Sequence, residues 1–458
     1  MQVTIIGGGS YQWAPKLITD LLGTASLRGL HLVLEDIDAV PLAKMEALAR
    51  LADDTLGSKA TVSTTTDQRG ALEGADFVVV TISTGGFASM AVDLDVPARH
   101  GIFQSVGDSV GPGGISRALR NIPVLAGIGR DMQELCPDAW MLNITNPMST
   151  LTRTVCRETS VKTVGLCHEV GGFCMDMAIA FRQPHTAVRP VITGVNHFPV
   201  ICELRVDGQD GFAMLRGMVE ELGGLDAISP AAGGPEAEPF SQLDFARRHF
   251  LKLSLLERWG ALLGANDRHL AEFMPSVLTE ESEWGKAWGI ALTPISQREE
   301  HQTGYIAEVD AVLAGTEELQ TWDSGELVAP VIDSLVSGEH RELPLNLPNT
   351  GQCPDLPADA VVEAMCVVDG DGMRGRDAAH APATFAELLR RHVAVHEMTV
   401  EAALTGDRAL ARSATTRAGV RPGRSSYHRP CGHFSLPGSL PGPPQVRTHL
   451  AFLSYWWM

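Results

Sequence analysis

The 458-residue sequence contains no apolar run long enough to span a bilayer, and aromatic side chains make up only 6% of it. Basic residues are also scarce: 36 Lys and Arg stand against 55 Asp and Glu, which gives a net charge of −19. Phosphate backbones and anionic lipids attract proteins of the opposite charge. We therefore expect no nucleic acid and no membrane among the partners of this protein.

The eight cysteines follow neither a disulfide framework nor a zinc-finger spacing. They are scattered, and several lie in apolar runs that are typical of strands or helices. This usage indicates reduced thiols. No signal peptide precedes the first strand pattern, which begins almost at Met1, so we expect a cytoplasmic protein.

What the sequence does have is enough apolar residues, 44%, for a large core and two or more domains. It opens on a buried-strand pattern, a glycine turn and a helical pattern. Gly7 and Gly9, with Ser10 beside them, would let the backbone approach a pyrophosphate at the helix N-terminus. Gln12 replaces the third glycine of the dinucleotide fingerprint, so an ordinary glycine turn is the alternative.

Asp36 follows the second strand pattern, where an acid commonly binds a ribose diol. Since a carboxylate would repel a 2′-phosphate, we expect NAD rather than NADP. Another strand pattern ends at Ser83, which we include among the cofactor contacts because ligands bind at the carboxyl ends of parallel strands. Strands that alternate with helices predict an α/β fold with a doubly wound, mostly parallel sheet and a dinucleotide-binding domain at residues 1–155.

Two loops and one asparagine add further candidates. Residues 104–114 form a polar, glycine-dense stretch before a helix, which is either a functional loop or a flexible connection. Asn146 follows the next strand pattern and could bind a sugar hydroxyl, although asparagine is also a common turn residue. Residues 343–357 are rich in Pro and Asn and predict a loop before the strand that begins at Val361.

Cys167 and His197 each follow an apolar run that is typical of a buried strand. Thiolate and imidazole are both good ligands for a divalent transition metal, so we place these two side chains on one ion. The alternative is a cysteine that belongs to the core. A third polar stretch contains Asp267, Arg268, His269 and Glu272, and it predicts either a solvated helix face or the lining of a pocket.

Together these motifs resemble the NAD- and metal-dependent glycosidases of glycoside hydrolase family 4. The resemblance covers about residues 1–412 and is carried by eight segments: residues 6–10, 36–38, 104–114, 143–148, 165–168, 196–198, 346–351 and 356–357. It implies a Rossmann-type domain like that of lactate and malate dehydrogenases, followed by a mixed α+β domain at residues 156–412. It also implies a homodimer or homotetramer.

The resemblance implies a mechanism that differs from the carboxylate pair of ordinary glycosidases. NAD would take a hydride from C3 of the sugar, and Mn²⁺ or another divalent metal on Cys167 and His197 would hold O2 and O3 and polarise the resulting ketone. A side-chain base would then remove the C2 proton. Elimination would expel the leaving group, water would add, and the hydride would return.

The same resemblance assigns roles to the remaining candidates. Asp267 would be the base for C2, and Asn146 and Asn196 would contact the sugar. His168 would assist the leaving group or, alternatively, orient the Cys167 thiolate.

Within the family, the segments around Cys167 and Asp267 look most like those of α-galacturonidases. Arg268 and His269 would then bind the carboxylate of an α-galacturonide, since Arg can hold a carboxylate with two parallel hydrogen bonds. The alternative is that Arg268 neutralises Asp267 or Glu272 and never meets the substrate.

Three other functions remain open at this stage. An α-galactosidase or α-glucosidase would use the same scaffold, and an NAD-dependent 2-hydroxy-acid dehydrogenase would share the Rossmann half but would need no thiolate. A catalytically inactive sugar or NAD sensor is made plausible by the end of the chain, where residues 413–458 depart from the family pattern. We interpret this tail as a frame shift in the gene or as a natural disordered segment.

Overall fold

The structure is a computed structural model, and it describes residues 1–232, 237–274, 276–321, 324–376 and 378–418. The strands within these ranges are β1 (Gln2–Ile6), β2 (His31–Glu35), β3 (Thr61–Thr65), β4 (Phe77–Val80), β5 (Trp140–Asn143), β6 (Lys162–Leu166), β7 (Val188–Val195), β8 (Phe198–Val206), β9 (Gln209–Asp210), β10 (Leu262–Leu263), β11 (Arg341–Pro348), β12 (Val361–Asp369) and β13 (Gly372–Gly375).

The α-helices in the same ranges are α1 (Ala14–Gly23), α2 (Ala39–Leu56), α3 (Gln68–Leu72), α4 (Gly86–Ala98), α5 (Gly111–Leu135), α6 (Met148–Glu158), α7 (Glu169–Ala180), α8 (Gly211–Glu221), α9 (Leu225–Ile228), α10 (Gln242–Arg248), α11 (Phe250–Trp259), α12 (Asp267–Phe273), α13 (Ile295–Leu313), α14 (Val328–Ser337), α15 (Ala383–Thr405) and α16 (Arg408–Arg417).

The first six strands form a parallel sheet in the order β3-β2-β1-β4-β5-β6. This is the strand order of a dinucleotide-binding Rossmann fold, whose topological switch point lies between β1 and β4. The strands are buried on both faces: Ile5 packs in the cluster with α1 and α2, whereas Val78 packs with α5 and α6. The predicted doubly wound α/β sheet is therefore confirmed.

The second half of the chain extends the same sheet with antiparallel strands in the order β6-β11-β12-β7-β8-β10. β13 pairs with β12, and β9 pairs with β8. The mixed second half was predicted. The domain boundary at residue 155 stays a prediction: it falls inside α6, and β6, which completes the parallel order, follows that helix. None of the helices within the described ranges is long and apolar enough to cross a membrane.

The prediction of a loop at residues 343–357 was wrong over its first part, which is strand β11. Prolines disfavour strands because they lack the N–H that a sheet ladder needs. β11, however, contacts β6 only at Leu345 and Asn346. Pro344 and Pro348 lie outside this contact, where one edge of β11 is open.

Three local boundaries bear on the site. The glycine-dense stretch at residues 104–114 is a loop only as far as Val110, because α5 begins at Gly111. Asp267 opens α12, with the Asn266 side chain accepting a hydrogen bond from the Arg268 N–H as the cap. Helix α16 continues to Arg417, and the predicted atypical tail lies outside the described residues from 419 onward.

Gly165 in β6 provides a test of how closely the two halves of the sheet are packed. A Cβ at this position would lie 2.8 Å from Met148 Cγ, 2.9 Å from Thr152 Oγ1 and 3.0 Å from Asn346 Cβ. We expect Gly165→Ala to lower the free energy of unfolding by about 1–3 kcal/mol, as overpacking does. Gly171→Ala in α7, where no heavy atom lies within 4 Å, is the matched control and should be neutral or stabilising. Chemical denaturation measures both, and equal stabilities would contradict the packing argument.

Candidate active site

The glycine turn after β1 packs too closely for any side chain. Gly7 has a φ of +91°, and a Cβ on it would lie 2.1 Å from the Thr81 carbonyl oxygen. The Gly9 N–H donates to Asp36 Oδ2 at 3.1 Å, and the Ser10 hydroxyl accepts from the Trp13 N–H at 3.2 Å. The structure thus brings Gly7, Gly9 and Ser10 of this turn together with Asp36, which follows β2, at the N-terminal end of α1. A bare backbone beside a helix N-terminus fits a pyrophosphate, and the adjacent carboxylate fits a ribose.

The loop after β4 links this edge of the sheet to the rest of the site. Ser83 lies in this loop and is exposed. Next to it, the Thr84 N–H donates to Asn121 Oδ1 at 3.3 Å, and Asn121 Nδ2 donates to the Asn146 carbonyl oxygen at 3.4 Å. Asn146 Nδ2 in turn donates to Asp108 Oδ2 at 3.3 Å. The loops after β4 and β5 are therefore connected by hydrogen bonds to Asp108.

His197 lies at the tip of the hairpin between β7 and β8. It is the second of the two residues between these strands and adopts a left-handed backbone conformation with a φ of +63°. The N–H of its neighbour Asn196 donates to Ser149 Oγ at 3.0 Å, which fixes the turn against α6. The imidazole of His197 is 3% exposed.

Asp108, His197 and His269 together form a group that could hold a metal ion, because one ligand atom from each lies within 4.8 Å of the others. The two imidazole rings have centroids 3.8 Å apart. His269 lies between two carboxylates, with Nδ1 3.8 Å from Asp108 Oδ1 and Nε2 3.8 Å from Glu169 Oε1. Sequence analysis did not name Asp108 as a site residue, although it marked the glycine-dense stretch that contains it.

The hydrogen bonds of Ser109 define which nitrogen of His197 is available to a metal. Ser109 Oγ donates to Asp108 Oδ1 at 2.7 Å, because a carboxylate can only accept. The same Oγ lies 2.7 Å from His197 Nδ1. Because its own hydrogen is donated to Asp108, Ser109 Oγ accepts a hydrogen bond from the Nδ1–H of His197. His197 Nε2 then carries the lone pair, as in histidines that bind metals.

The charges in this group also suit a metal. Burial and the nearby His269 lower the pKa of His197 to about 3, so its imidazole is neutral at neutral pH. Burial tends to raise the pKa of Asp108, but His269, His197 and Arg117 outweigh this effect and hold it well below its usual range. A neutral imidazole and an ionised carboxylate are the states that bind divalent cations.

Cys167 lies at the end of β6, as predicted, and is 6% exposed. Burial, together with Glu363 and Glu169, raises the pKa of its thiol well above the ordinary value, while the Asn196 side chain acts in the opposite direction. Within the described ranges, the group of three ligands contains His197 but no thiol. For a metal, the structure therefore offers the Asp108 carboxylate and the His269 imidazole, two ligands that sequence analysis did not predict.

Asp267 and His269 point to different sides of α12. Asp267 is buried, and its Oδ2 accepts from the Leu251 N–H at 2.7 Å while its Oδ1 lies 3.9 Å from Lys252 Nζ. Its contacts are thus with α11, whereas His269 joins the metal-capable group. Burial raises the pKa of Asp267 to about 6. With this pKa the carboxyl is mostly ionised at neutral pH and is therefore suited to accept a proton.

Arg268 lies beside the loop that precedes Asp108. Its Nη2 donates to Thr293 Oγ1, and its backbone oxygen accepts from Ser105 Oγ. The Glu272 carboxylate accepts from the N–H groups of residues 106 and 107. Burial lowers the pKa of Arg268, and the charge of Glu272 opposes this effect. Both predicted roles of Arg268, binding an anion and neutralising Glu272, therefore stay predictions.

A second guanidinium, that of Arg298 on α13, approaches the same loop and was not predicted. Its Nη2 donates to the Val106 carbonyl oxygen at 2.8 Å. The Nε atoms of both Arg268 and Arg298 are buried without a hydrogen-bond partner among the described residues. Burial and the mutual repulsion of these cations lower the pKa of Arg298. Two partly satisfied guanidinium groups in one region favour an anion as a ligand.

His168 pairs with Glu326, which lies 158 residues away in sequence. Its Nδ1 is 3.2 Å from Glu326 Oε1. Burial disfavours the imidazolium form, but the Glu326 carboxylate outweighs burial and raises the pKa of His168 to about 9. His168 is therefore protonated at neutral pH, which suits a proton donor. Only the fold could reveal this partner.

Two family models match the chain over almost all of its described length. The model described as family 4 glycosyl hydrolase matches residues 2–182, and the model of the family 4 glycosyl hydrolase C-terminal domain matches residues 192–418. The chain belongs to the family 4 glycosyl hydrolases. The family predicted from the sequence motifs is thus confirmed, and this family 4 member is a glycosidase.

Individual relatives of this family 4 chain differ in substrate. It is 33% identical over 423 residues to an α-galacturonidase of Lachnoclostridium phytofermentans, and the match covers 90% of this chain and 89% of that protein. It is 30% identical over 406 residues to an α-galactosidase of Bacillus subtilis, with 88% of this chain and 89% of that protein covered.

Solved structures share the whole fold. The Bacillus subtilis protein lplD matches with a TM-score of 0.82 and 30% identity, over 91% of this chain and 95% of that one. A 6-phospho-α-glucosidase from gut microorganisms, solved in complex with NAD and Mn²⁺, matches with a TM-score of 0.74 and 20% identity, over 91% and 93%. At this lower identity the likeness concerns the fold alone.

The pair of His168 and Glu326 leads to a pH prediction. Because the folded pKa of His168 is raised, the stability that the pair contributes is fully present below about pH 6.5 and is lost as the pH rises through about 9. We expect Glu326→Gln to abolish this dependence and to lower the pKa of His168, as observed by NMR of ¹³C-labelled histidine. Glu299→Gln, an exposed site on α13, should leave both unchanged. An unaltered His168 titration in Glu326→Gln would contradict the assignment.

Proposed function

We propose that this family 4 glycosidase hydrolyses α-glycosides of a uronic acid, α-galacturonides, with NAD and a divalent metal such as Mn²⁺. The observation that supports the uronide most directly is the position of Arg268 and Arg298, two partly buried guanidinium groups beside the loop that carries Asp108. The similarity to an α-galacturonidase supports the same substrate.

The residues present fit both cofactors. Gly7, Gly9 and Ser10 offer backbone to a pyrophosphate, and Asp36 offers a carboxylate to a ribose, while Ser83 lies at the same edge of the sheet. His197 Nε2, Asp108 and His269 offer nitrogen and oxygen ligands, which suit Mn²⁺. Cys167 remains our prediction as a further ligand. When bound, NAD would supply a hydride acceptor and the metal a Lewis acid.

The remaining residues would handle protons and the sugar. Asn146 is proposed to bind a sugar hydroxyl, and its hydrogen bond to Asp108 of the metal-capable group supports this role. Asp267 is proposed to take the C2 proton through Oδ1, which has no hydrogen-bond partner among the described residues. His168, held protonated by Glu326, is proposed to give a proton to the leaving oxygen. Asn196 is 4% exposed, and this burial favours a supporting role over contact with the sugar.

The substrate test compares an aryl α-galacturonide with the matching α-galactoside in the presence of NAD and Mn²⁺. We expect kcat/KM to favour the galacturonide by on the order of 100-fold or more, because a neutral sugar would leave guanidinium groups unpaired in a desolvated site. Arg268→Gln should remove most of this preference, whereas Arg205→Gln, which alters an exposed pair with Glu203, should not. Equal or faster hydrolysis of the galactoside would make the enzyme an α-galactosidase instead.

The metal test uses binding of Mn²⁺ rather than activity. We expect Cys167→Ser to weaken Mn²⁺ binding about 10-fold or more without unfolding the protein, because a hydroxyl is a poor replacement for a thiolate. His269→Ala should weaken it as well. Titration of free Mn²⁺ by electron paramagnetic resonance measures both variants. If Cys167→Ser binds Mn²⁺ like the wild type while His269→Ala does not, the metal is held by the imidazoles and Asp108 without the thiol.

The sequence left a 2-hydroxy-acid dehydrogenase open for the Rossmann half, but both family models that match this chain describe family 4 glycosyl hydrolases. A dehydrogenase would accumulate NADH with a hydroxy acid, whereas the proposed reaction returns its hydride in every turnover. Hydride transfer from a hydroxy acid to NAD needs no metal-capable group, so the buried group of Asp108, His197 and His269 also supports the glycosidase.

A further inference from the structure

A cluster of buried polar side chains lies between Cys167 and His197, and the proposed roles leave part of it unexplained. Its members are Asn196, Asn346 on β11 and Glu363 on β12, which are 4%, 0% and 1% exposed. Four of their atoms have no hydrogen-bond partner among the described residues: Asn196 Oδ1, Asn346 Nδ2, Asn346 Oδ1 and Glu363 Oε1. Buried polar atoms of this kind cost about 1–3 kcal/mol each, so a cluster of them calls for a functional reason.

The sheet register places this cluster between the two strands that lead to the predicted ligands. Asn346 lies opposite Gly165 of β6, two residues before Cys167, and opposite Glu363 of β12. Glu363 lies opposite Gly194 of β7, three residues before His197. Since directly opposite residues of antiparallel strands project to the same face, Asn346 and Glu363 share one face of the sheet. The cluster therefore spans from β6 to β7.

Glu363 contacts the turn that carries His197. Its Oε2 accepts from Asn196 Nδ2 at 3.4 Å. The backbone N–H of His197 also stabilises its ionised form, although burial dominates and raises the pKa of Glu363 to about 8. Asn196 acts on the Cys167 thiol as well. The amide of Asn196 thus connects Glu363 with both predicted metal ligands.

We propose that Glu363 is a positioning residue for the metal site: it holds the Asn196–His197 turn from β12 so that His197 and Cys167 are presented to one ion. This inference rests on the proposed metal-dependent function. The left-handed backbone of His197 needs outside support, which Ser149 gives from α6 and Glu363 gives from the sheet. Partners of this kind orient metal ligands, and their loss weakens metal binding by about 10–100-fold.

The decisive variant is Glu363→Met, which keeps the volume of the side chain but removes the acceptor. We expect Mn²⁺ affinity to fall about 10–100-fold and the thermal midpoint to fall as well, because the buried Asn196 Nδ2 loses its acceptor. A residue with a purely structural role would show the loss of stability with unchanged affinity. Glu363→Gln should return the affinity to within a few-fold of the wild type, because its amide oxygen can still accept.

Two measurements that do not use activity read the outcome. Titration of free Mn²⁺ by electron paramagnetic resonance gives the affinity, and the thiolate-to-cobalt charge-transfer band of the Co²⁺ protein reports whether Cys167 is a ligand. Glu342→Met on β11, an exposed glutamate paired with Arg376, is the matched control and should bind Mn²⁺ like the wild type. If Glu363→Met does not fold, Asn196→Ser, which shortens the connecting amide, should show the same loss of affinity.

The results separate this inference from the function on which it rests. A wild-type protein that shows no Mn²⁺ binding and no charge-transfer band would remove the proposed metal site itself. A wild-type protein with both signals, together with a folded Glu363→Met that matches it in affinity and band, would overturn the role of Glu363 alone. Wild-type affinity in Asn196→Ser would do the same.

Discussion

The site depends on one mostly buried carboxylate, that of Asp108, which is 14% exposed. Taking a carboxylate out of water costs several kcal/mol unless neighbouring groups compensate. Here the compensation comes from four parts of the fold: Ser109 of the same loop, Asn146 after β5, His269 of α12 and the nearby cation Arg117. Removing any one of them takes away part of this compensation, so the same contacts that stabilise Asp108 also assemble the site.

Much of the fold follows from local sequence patterns. The alternation of buried strands with amphipathic helices predicted the parallel sheet, and β2 extends one residue on either side of the apolar run at residues 32–34. The antiparallel half was harder to predict, because strand pairing there joins segments far apart in sequence. β11 is an example. Its prolines indicate a loop, but they fit in a strand because β11 pairs with β6 only at Leu345 and Asn346, and the prolines lie outside this pairing.

The site shows the same division between local and distant information. Cys167 and Asp36 could be proposed from the sequence because each directly follows a strand pattern, and parallel strands align their carboxyl ends. His197 also follows a strand pattern, but its strand, β7, is antiparallel to both of its neighbours. The sequence could not indicate four further residues, because the role of each depends on a partner from another element: Asp108, Glu326, Arg298 and Glu363. Asp108 came nearest to detection, since it lies in a glycine-dense stretch that the sequence marked without assigning a residue.

Arg268 and Arg298 both contact the loop at residues 105–107, and Asp108 follows this loop. Carboxylates are also close to them: the charges of Glu272 and Asp108 oppose the effect of burial on the pKa of both guanidinium groups. Both Nε atoms nevertheless have no hydrogen-bond partner among the described residues, so each guanidinium keeps a donor that an anionic ligand could use.

A path of hydrogen bonds runs from Thr84 through Asn121 and Asn146 to Asp108, and it connects the loop after β4 with the metal-capable group. A reaction that oxidises C3 of a sugar and removes a proton from C2 must bring a hydride acceptor and a Lewis acid within the width of one ring. The loop after β4 belongs to the cofactor edge of the Rossmann sheet, and Asp108 belongs to the metal-capable group. Asn146 lies within this path: its carbonyl oxygen accepts from Asn121, and its side-chain amide donates to Asp108.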